Sequence, residues 1–153
     1  MSLVAASAPT RWKSAGLWVV RGLLALVFAS AGGAKLYGLP MLVEEFQHMG
    51  LGQWFRYFTG TLELLGAVLI LVPSLAAFGA VLLICIMIGA AIMHLFVIGG
   101  SPAPALVLLA LSAVVAYAKR DQILAVLNAV DDALHGEKAR PASSRKINPL
   151  NRL

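Results

Sequence analysis

The chain has few charged residues and a single cysteine. Asp, Glu, Lys and Arg make up 12% of its 153 residues, whereas a soluble domain carries about a quarter. This composition excludes a soluble globular domain. The one cysteine, Cys85, excludes an intrachain disulfide, a CxxC pair and a cysteine zinc cluster. Because Cys85 lies in an apolar run, the sequence predicts that it is a small core residue.

Residues that often carry chemistry are also scarce. The sequence has three histidines, and only His94 falls in an apolar segment, which argues against a haem held by two histidines of one chain. Glu44, Glu45 and His48 have side chains of the kind that bind metals. A solvated helix face explains them better, so we expect no metal site. Since no nucleophile triad, phosphate loop or nucleotide fingerprint is present either, we expect no covalently bound cofactor.

Apolar residues are the component in excess. They make up 60% of the chain, and the mean hydropathy is +0.87, which indicates an integral membrane protein. Four apolar segments stand out, most of them close to the ~20 residues that cross a bilayer as a helix: Leu17–Leu36, Phe55–Val72, Leu75–Ile98 and Ala103–Ala118. We therefore predict an all-α fold, a four-helix transmembrane bundle with short interfacial helices.

The basic residues predict the orientation in the membrane. Arg11 and Lys13 precede the first span and Lys119 and Arg120 follow the fourth, so the positive-inside rule places both termini in the cytoplasm. The formal net charge is +5. We interpret the basic tail as a segment near anionic lipid headgroups and expect no nucleic-acid partner. The predicted organisation is a cytoplasmic N-terminal segment 1–16, a transmembrane domain 17–120, and an amphipathic helix with a basic cytoplasmic tail 121–153.

Two shorter segments have the pattern of amphipathic helices. A helix over residues 40–50 would place Leu42, Phe46 and Met49 on one face, which predicts an interfacial helix that caps the outer mouth of the bundle. The segment Asp121–His135 repeats the pattern. It can lie on the inner membrane surface or dock on a protein partner, and both alternatives stay open.

Four ionisable residues lie inside the apolar segments: Arg21, Lys35, Glu63 and His94. Charges in a span are costly and usually face a protein interior or a cavity. Helical spacing puts Arg21 and Lys35 on one stripe of the first helix, about 21 Å apart along its axis. Glu63 lies at an intermediate depth on the second helix, and His94 lies near the outer end of the third.

Two interpretations of these four residues stay open. The simpler one is a buried ion pair that fixes the register of the helices, with Arg21 and Glu63 as the better candidates. The other is a pocket for a ligand or for protons, with Lys35 and His94 facing outward. A lipid-soluble quinone fits such a pocket, because its carbonyls accept hydrogen bonds and its reduction consumes protons.

The same residues carry a resemblance to a family. The first helix has Arg21-Gly22-Leu23-Leu24, Phe28, Ala31-Gly32 and Lys35-Leu36, and the next two have Glu63-Leu64-Leu65-Gly66-Ala67, Pro73, Ala90-Ala91 and His94. This order resembles the DoxX-like family of membrane proteins. The resemblance implies a four-helix bundle in a bacterial inner membrane, with its polar positions at Arg21, Lys35, Glu63 and His94. It also implies a link to membrane-bound oxidoreductase systems, including thiosulfate:quinone oxidoreductase, usually as a small subunit beside a catalytic partner.

Three functions follow as hypotheses. The first is a small membrane subunit of a quinone-linked oxidoreductase system, which anchors a catalytic partner and contributes to a quinone pocket. The second is a stand-alone transporter or binder of a small amphipathic solute, which predicts a cavity. The third is an assembly or structural subunit without a ligand, which predicts a close-packed interior. Membrane lipids and a protein partner are expected contacts, with a homo-oligomer as an alternative.

Overall fold

The computed structural model describes residues 11–135, in which all regular structure is helical. The predicted all-α class is confirmed for this range. The basic tail after His135 and the first ten residues lie outside it. The helices are α1 (Arg11–Tyr37), α2 (Pro40–His48), α3 (Gln53–Leu71), α4 (Ala76–Met93), α5 (Ala103–Ala118) and α6 (Arg120–His135).

The helices begin and end where the sequence has breakers. Pro40 begins α2, where a missing N–H costs nothing. Pro73 follows the end of α3. Helix α4 continues as a short π-helical segment, His94–Ile98, and Gly99 then turns the chain with a φ of 78° that favours glycine. The predicted short helix over residues 40–50 is present as α2.

Three helical stretches are long and apolar enough to cross a membrane: Ser14–Tyr37, Gln53–Leu71 and Ala76–Ile98. A fourth is counted only if α5 and α6 together make one span. Helix α5 alone has 16 residues and is about 24 Å long, shorter than the hydrocarbon core of about 30 Å. The predicted membrane spans are thus confirmed as three to four candidates, and the fourth span stays a prediction.

Helices α1, α3, α4 and α5 pack side by side in that order, and α5 also contacts α1. Helices α1 and α3 run in opposite directions, since Arg21 contacts the end of α3, whereas Lys35, near the end of α1, contacts Glu63 in the middle of α3 and accepts from Arg56 near its start. The core lies where these helices meet, and Phe28, Ile70 and Leu83 are almost fully buried there. Small residues let the backbones approach closely.

The chain divides into two compact units, Met1–Arg120 and Asp121–Leu153. In the second unit, α6 exposes apolar side chains: Leu124, Val126, Leu127, Val130 and Leu134. Val126, Leu127, Val130 and Leu134 belong, with Ile123, to the apolar stripe that the sequence predicted, whereas Leu124 does not. The roles assigned to the three predicted segments stay predictions.

Candidate functional site

Lys35 of α1 and Glu63 of α3 form an ion pair. The Nζ atom of Lys35 lies 3.0 Å from Oε1 and 2.8 Å from Oε2 of Glu63. The side chain of Glu63 is 4% exposed and that of Lys35 is 17% exposed. The carboxylate is thus neutralised by a single ammonium group that contacts both of its oxygens.

The two helices come together at this level because both have a glycine one turn away. Gly32 precedes Lys35 by three residues, and Gly60 precedes Glu63 by three residues. A Cβ on Gly32 would lie 2.7 Å from the carbonyl oxygen of Gly60, and a Cβ on Gly60 would lie 3.0 Å from that of Gly32. The glycines therefore set the distance that the ion pair spans.

Arg21 does not contact Glu63, so the predicted structural pair of these two residues is wrong. Arg21 is 1% exposed, and its guanidinium donates from Nε to the carbonyl of Ile70 at 2.7 Å and from Nη2 to that of Leu71 at 2.8 Å. It also lies 4.0 Å from the ring centroid of Trp18. The reason is depth, since Ile70 lies seven residues beyond Glu63, about 11 Å along α3.

The carbonyls that Arg21 binds belong to the last turn of α3 and have no partner within the helix. The guanidinium therefore caps that helix end, where the helix dipole also favours a positive charge. Arg21 is a structural residue of the α1–α3 contact.

Arg56 makes a similar contact at the other end of the α1–α3 interface. The sequence analysis did not single out this residue. Its guanidinium donates to the carbonyl of Lys35 in the last turn of α1 and to Oε1 of Gln53, and the residue is 3% exposed. The available signal was its position, because Arg56, Gly60 and Glu63 follow one another at i, i+4 and i+7 on the buried face of α3.

A cavity of about 560 Å³ lies beside the ion pair, between α1, α3 and α4 and next to α2. Lys35 and Glu63 both line it. Its other walls are mostly apolar, with four aromatic side chains: Phe28, Phe46, Phe55 and Phe58. Phe55 lies between two of these rings, with centroid distances of 6.0 Å to Phe46 and 6.4 Å to Phe58. The cavity thus combines one charged pair with an aromatic wall.

His94 lines the same cavity from the end of α4, and its Nδ1 lies 3.5 Å from the carbonyl oxygen of Gly99. His94 is the first residue of the π-helical segment, a local deviation that is frequent at functional sites. Of the four predicted residues, the structure brings Lys35, Glu63 and His94 to one cavity and places Arg21 elsewhere.

Two further residues of the cavity differ from expectation. Cys85 was predicted to be a core residue, but it is exposed and lines the cavity. The reason is that the apolar run of α4 faces both protein and surroundings, so that hydropathy alone does not distinguish its sides. Glu45, predicted on the polar face of α2, lines the cavity beside Phe46. Within residues 11–135, no group of three or more His, Cys, Asp or Glu is arranged to hold a metal ion.

All regular structure in residues 11–135 is helical, and the candidate membrane spans there, with an ion pair between the first and the second, define a polytopic membrane protein. The family model of the DoxX-like family matches residues 19–117, and the chain belongs to this family. The predicted resemblance is thereby confirmed. No curated protein and no solved structure matches the chain.

Proposed function

We propose that the protein is a small membrane subunit that binds a neutral, lipid-soluble ligand with a carbonyl oxygen, of the quinone class, for a redox partner. The observation that carries this proposal is the cavity of about 560 Å³, in which the Lys35–Glu63 pair interrupts an apolar and aromatic lining. Such pockets, mostly apolar with a few polar groups, are typical of ligand sites.

The residues of the cavity fit the ligand class. An ammonium group has three N–H donors, and Lys35 directs its side chain to one carboxylate only, which leaves a donor for a carbonyl oxygen. Because the pair is neutral overall, it favours a neutral head group over an ion. The rings of Phe46, Phe55 and Phe58 offer flat apolar surfaces for a planar ring. A bound quinone would be the electron acceptor, and the partner protein would be the electron donor.

The same cavity supports a second candidate, a stand-alone binder or transporter of a small amphipathic solute. It weighs against the third candidate, a ligand-free assembly subunit, for which a close-packed interior is expected. The redox assignment draws on membership of the DoxX-like family. In this proposal the protein lies in a bacterial inner membrane, with both termini in the cytoplasm and α2 on the outer side, and a homo-oligomer is an alternative to the redox partner.

The experiment is purification in mild detergent, followed by identification of bound lipids and associated proteins. Binding of a short-chain quinone is then measured by quenching of tryptophan fluorescence. We expect Lys35→Met to weaken binding by about tenfold, because it removes the charge-assisted hydrogen bond to the ligand. Glu63→Gln should also weaken binding, because it leaves Lys35 with an uncompensated charge that disfavours a neutral head group. Asp132→Asn, a matched change of an exposed carboxylate in α6, should bind as the unmodified protein does.

Unchanged quinone binding and partner activity in a folded Glu63→Gln variant would refute the proposal. A bound amphipathic solute without a redox partner would favour the stand-alone binder.

A further inference from the structure

A surface depression lies beside the cavity, between α2 and the π-helical segment. Its lining consists of Met41, Glu44, Glu45, His48, His94 and Ile98. Three of these residues, Glu45, His94 and Ile98, also line the cavity that holds the Lys35–Glu63 pair. The cavity and the depression therefore share one boundary, and two of its three side chains are ionisable.

We propose that Glu45, His94 and Ile98 form the aqueous entrance of the cavity, through which water, protons and small cations reach the Lys35–Glu63 pair. Two of the three residues at the entrance, Glu45 and His94, have polar side chains, which suit water better than lipid. Glu45 and His94 are both partly buried, whereas Glu44 and His48 on the outer side are exposed. The polar lining thus extends from the surface to the boundary of the cavity that the ion pair also lines.

The charges at the entrance set its selectivity. Glu44 and Glu45 place two carboxylates in the lining of the depression, where the other ionisable residues are His48 and His94. On the inner side, Lys35 and Glu63 neutralise each other. A passage lined by carboxylates attracts cations and repels anions, so the entrance admits cations faster than anions of the same size.

This inference rests on the proposed function for its purpose, because a ligand that is reduced in the cavity takes up protons, and water at the entrance can deliver them. The geometry of the entrance itself requires no ligand. The entrance can therefore be tested without a ligand. Its absence would leave the proposed quinone binding intact, and a failure of quinone binding would leave the entrance intact.

Cys85 offers the measurement, because it is the only cysteine of the chain and it lines the cavity. It lies nine residues before His94 in the sequence, about 13 Å along the helix. In proteoliposomes, a charged methanethiosulfonate reagent, which does not cross lipid, reaches Cys85 only through water. We expect a cationic reagent to modify Cys85, and to do so faster than an anionic reagent after each rate is divided by its rate with a free thiol in solution.

Two sets of variants test the entrance. Ile98→Trp fills the boundary with a larger side chain and should slow the cationic reagent by about tenfold or more, because packed side chains leave no room for water. Phe96→Trp is the matched control, since Phe96 lies in the same segment, is 80% exposed and lines neither space. Its modification rate should equal that of the unmodified protein. Glu44→Gln with Glu45→Gln should abolish the preference for the cationic reagent.

A lipid-soluble maleimide reports whether Cys85 remains reactive in each variant. If Cys85 reacts with the maleimide but not with the charged reagents, there is no aqueous entrance and the proposal is overturned. An unchanged cationic rate in Ile98→Trp overturns it as well. If Ile98→Trp does not fold, the Glu44→Gln, Glu45→Gln variant decides, and an unaltered preference for the cation contradicts the proposal.

Discussion

Two cations of helix α1, Arg21 and Lys35, have surroundings that are opposite in kind. Arg21 is almost fully buried and directs its donors to the backbone carbonyls of Ile70 and Leu71. Lys35 is partly exposed, binds an acid and lines a cavity. Backbone carbonyls cannot change their charge, whereas a carboxylate can take up a proton. Arg21 thus holds α1 against α3 through groups of fixed charge, whereas the partner of Lys35 is a group whose charge can change.

The largest effect should come from breaking the ion pair on one side only. Glu63→Ala leaves the ammonium group of Lys35 without its partner, and we expect a loss of about 3 to 5 kcal/mol in the free energy of unfolding. Replacing both residues, Lys35→Met with Glu63→Leu, should restore most of that stability, because no uncompensated charge remains. Thermal unfolding in detergent, followed by size-exclusion chromatography, measures both. Equal losses in the single and double variants would show that the loss does not come from the uncompensated charge of Lys35.

An effect of comparable size separates the two cations directly. Arg21→Met removes two charge-assisted hydrogen bonds, each worth about 1.5 to 3 kcal/mol, and should lower the unfolding temperature without changing the quinone affinity of the folded fraction. Lys35→Met leaves the carboxylate of Glu63 without its partner and should lower stability as well, but unlike Arg21→Met it should also weaken quinone binding. A fluorescence binding titration on folded protein, combined with a melting curve, measures the two quantities. If Arg21→Met also weakens binding, the division between a structural and a functional cation is wrong.

A smaller effect tests the spacing that holds the ion pair. Gly32→Ala would place a Cβ 2.7 Å from the carbonyl oxygen of Gly60, so the helices must move apart, at a cost of about 1 to 3 kcal/mol. Gly33→Ala is the control, because a Cβ there meets nothing within 4 Å, and it should be neutral or slightly stabilising. The melting temperatures of the Gly32→Ala and Gly33→Ala variants measure the difference. Similar values for both would mean that the close approach does not set the spacing.

The smallest effect concerns a buried polar group away from both cations. Ser112 is fully buried, and its hydroxyl has no hydrogen-bond partner among the residues that the structure describes. Ser112→Ala removes the unsatisfied group, and we expect a gain of up to about 1 kcal/mol in stability. A clear loss of stability on denaturant titration would instead indicate that the hydroxyl has a partner in the assembled protein.

The sequence predicted the helices well because their signals are local. Apolar runs, Pro73 and the glycines after Ile98 define the helix ends within the chain itself. The contacts of Glu63 were harder to predict. Whether Glu63 pairs with Arg21 or with Lys35 depends on how far α3 is shifted along α1. This shift is set by the contact of Gly32 with Gly60.

The other residues of the cavity were hard to predict because they depend on the rotation of each helix about its own axis. Cys85 and Glu45 line the cavity because of the rotation of α4 and α2 about their axes, and an almost uniformly apolar helix such as α4 carries no periodic signal for its rotation. The role of Arg56 was hidden for a related reason, because its main partner is a backbone carbonyl, which exists at every position. When a side chain binds the backbone, the sequence contains no residue of opposite charge that would indicate its partner.

The reciprocal contacts of Arg21 and Arg56 also bear on how the protein enters its membrane. An arginine costs about 2.5 to 3.5 kcal/mol on insertion at the centre of an isolated span, and less near an end, where its side chain reaches the interface. Arg21 finds its acceptors only on α3, and Arg56 finds an acceptor at the end of α1. Each helix thus lowers the insertion cost of the other. It follows that the ribosome and the insertion machinery should deliver α1 and α3 to the lipid as one hairpin, with α1 retained until α3 has emerged.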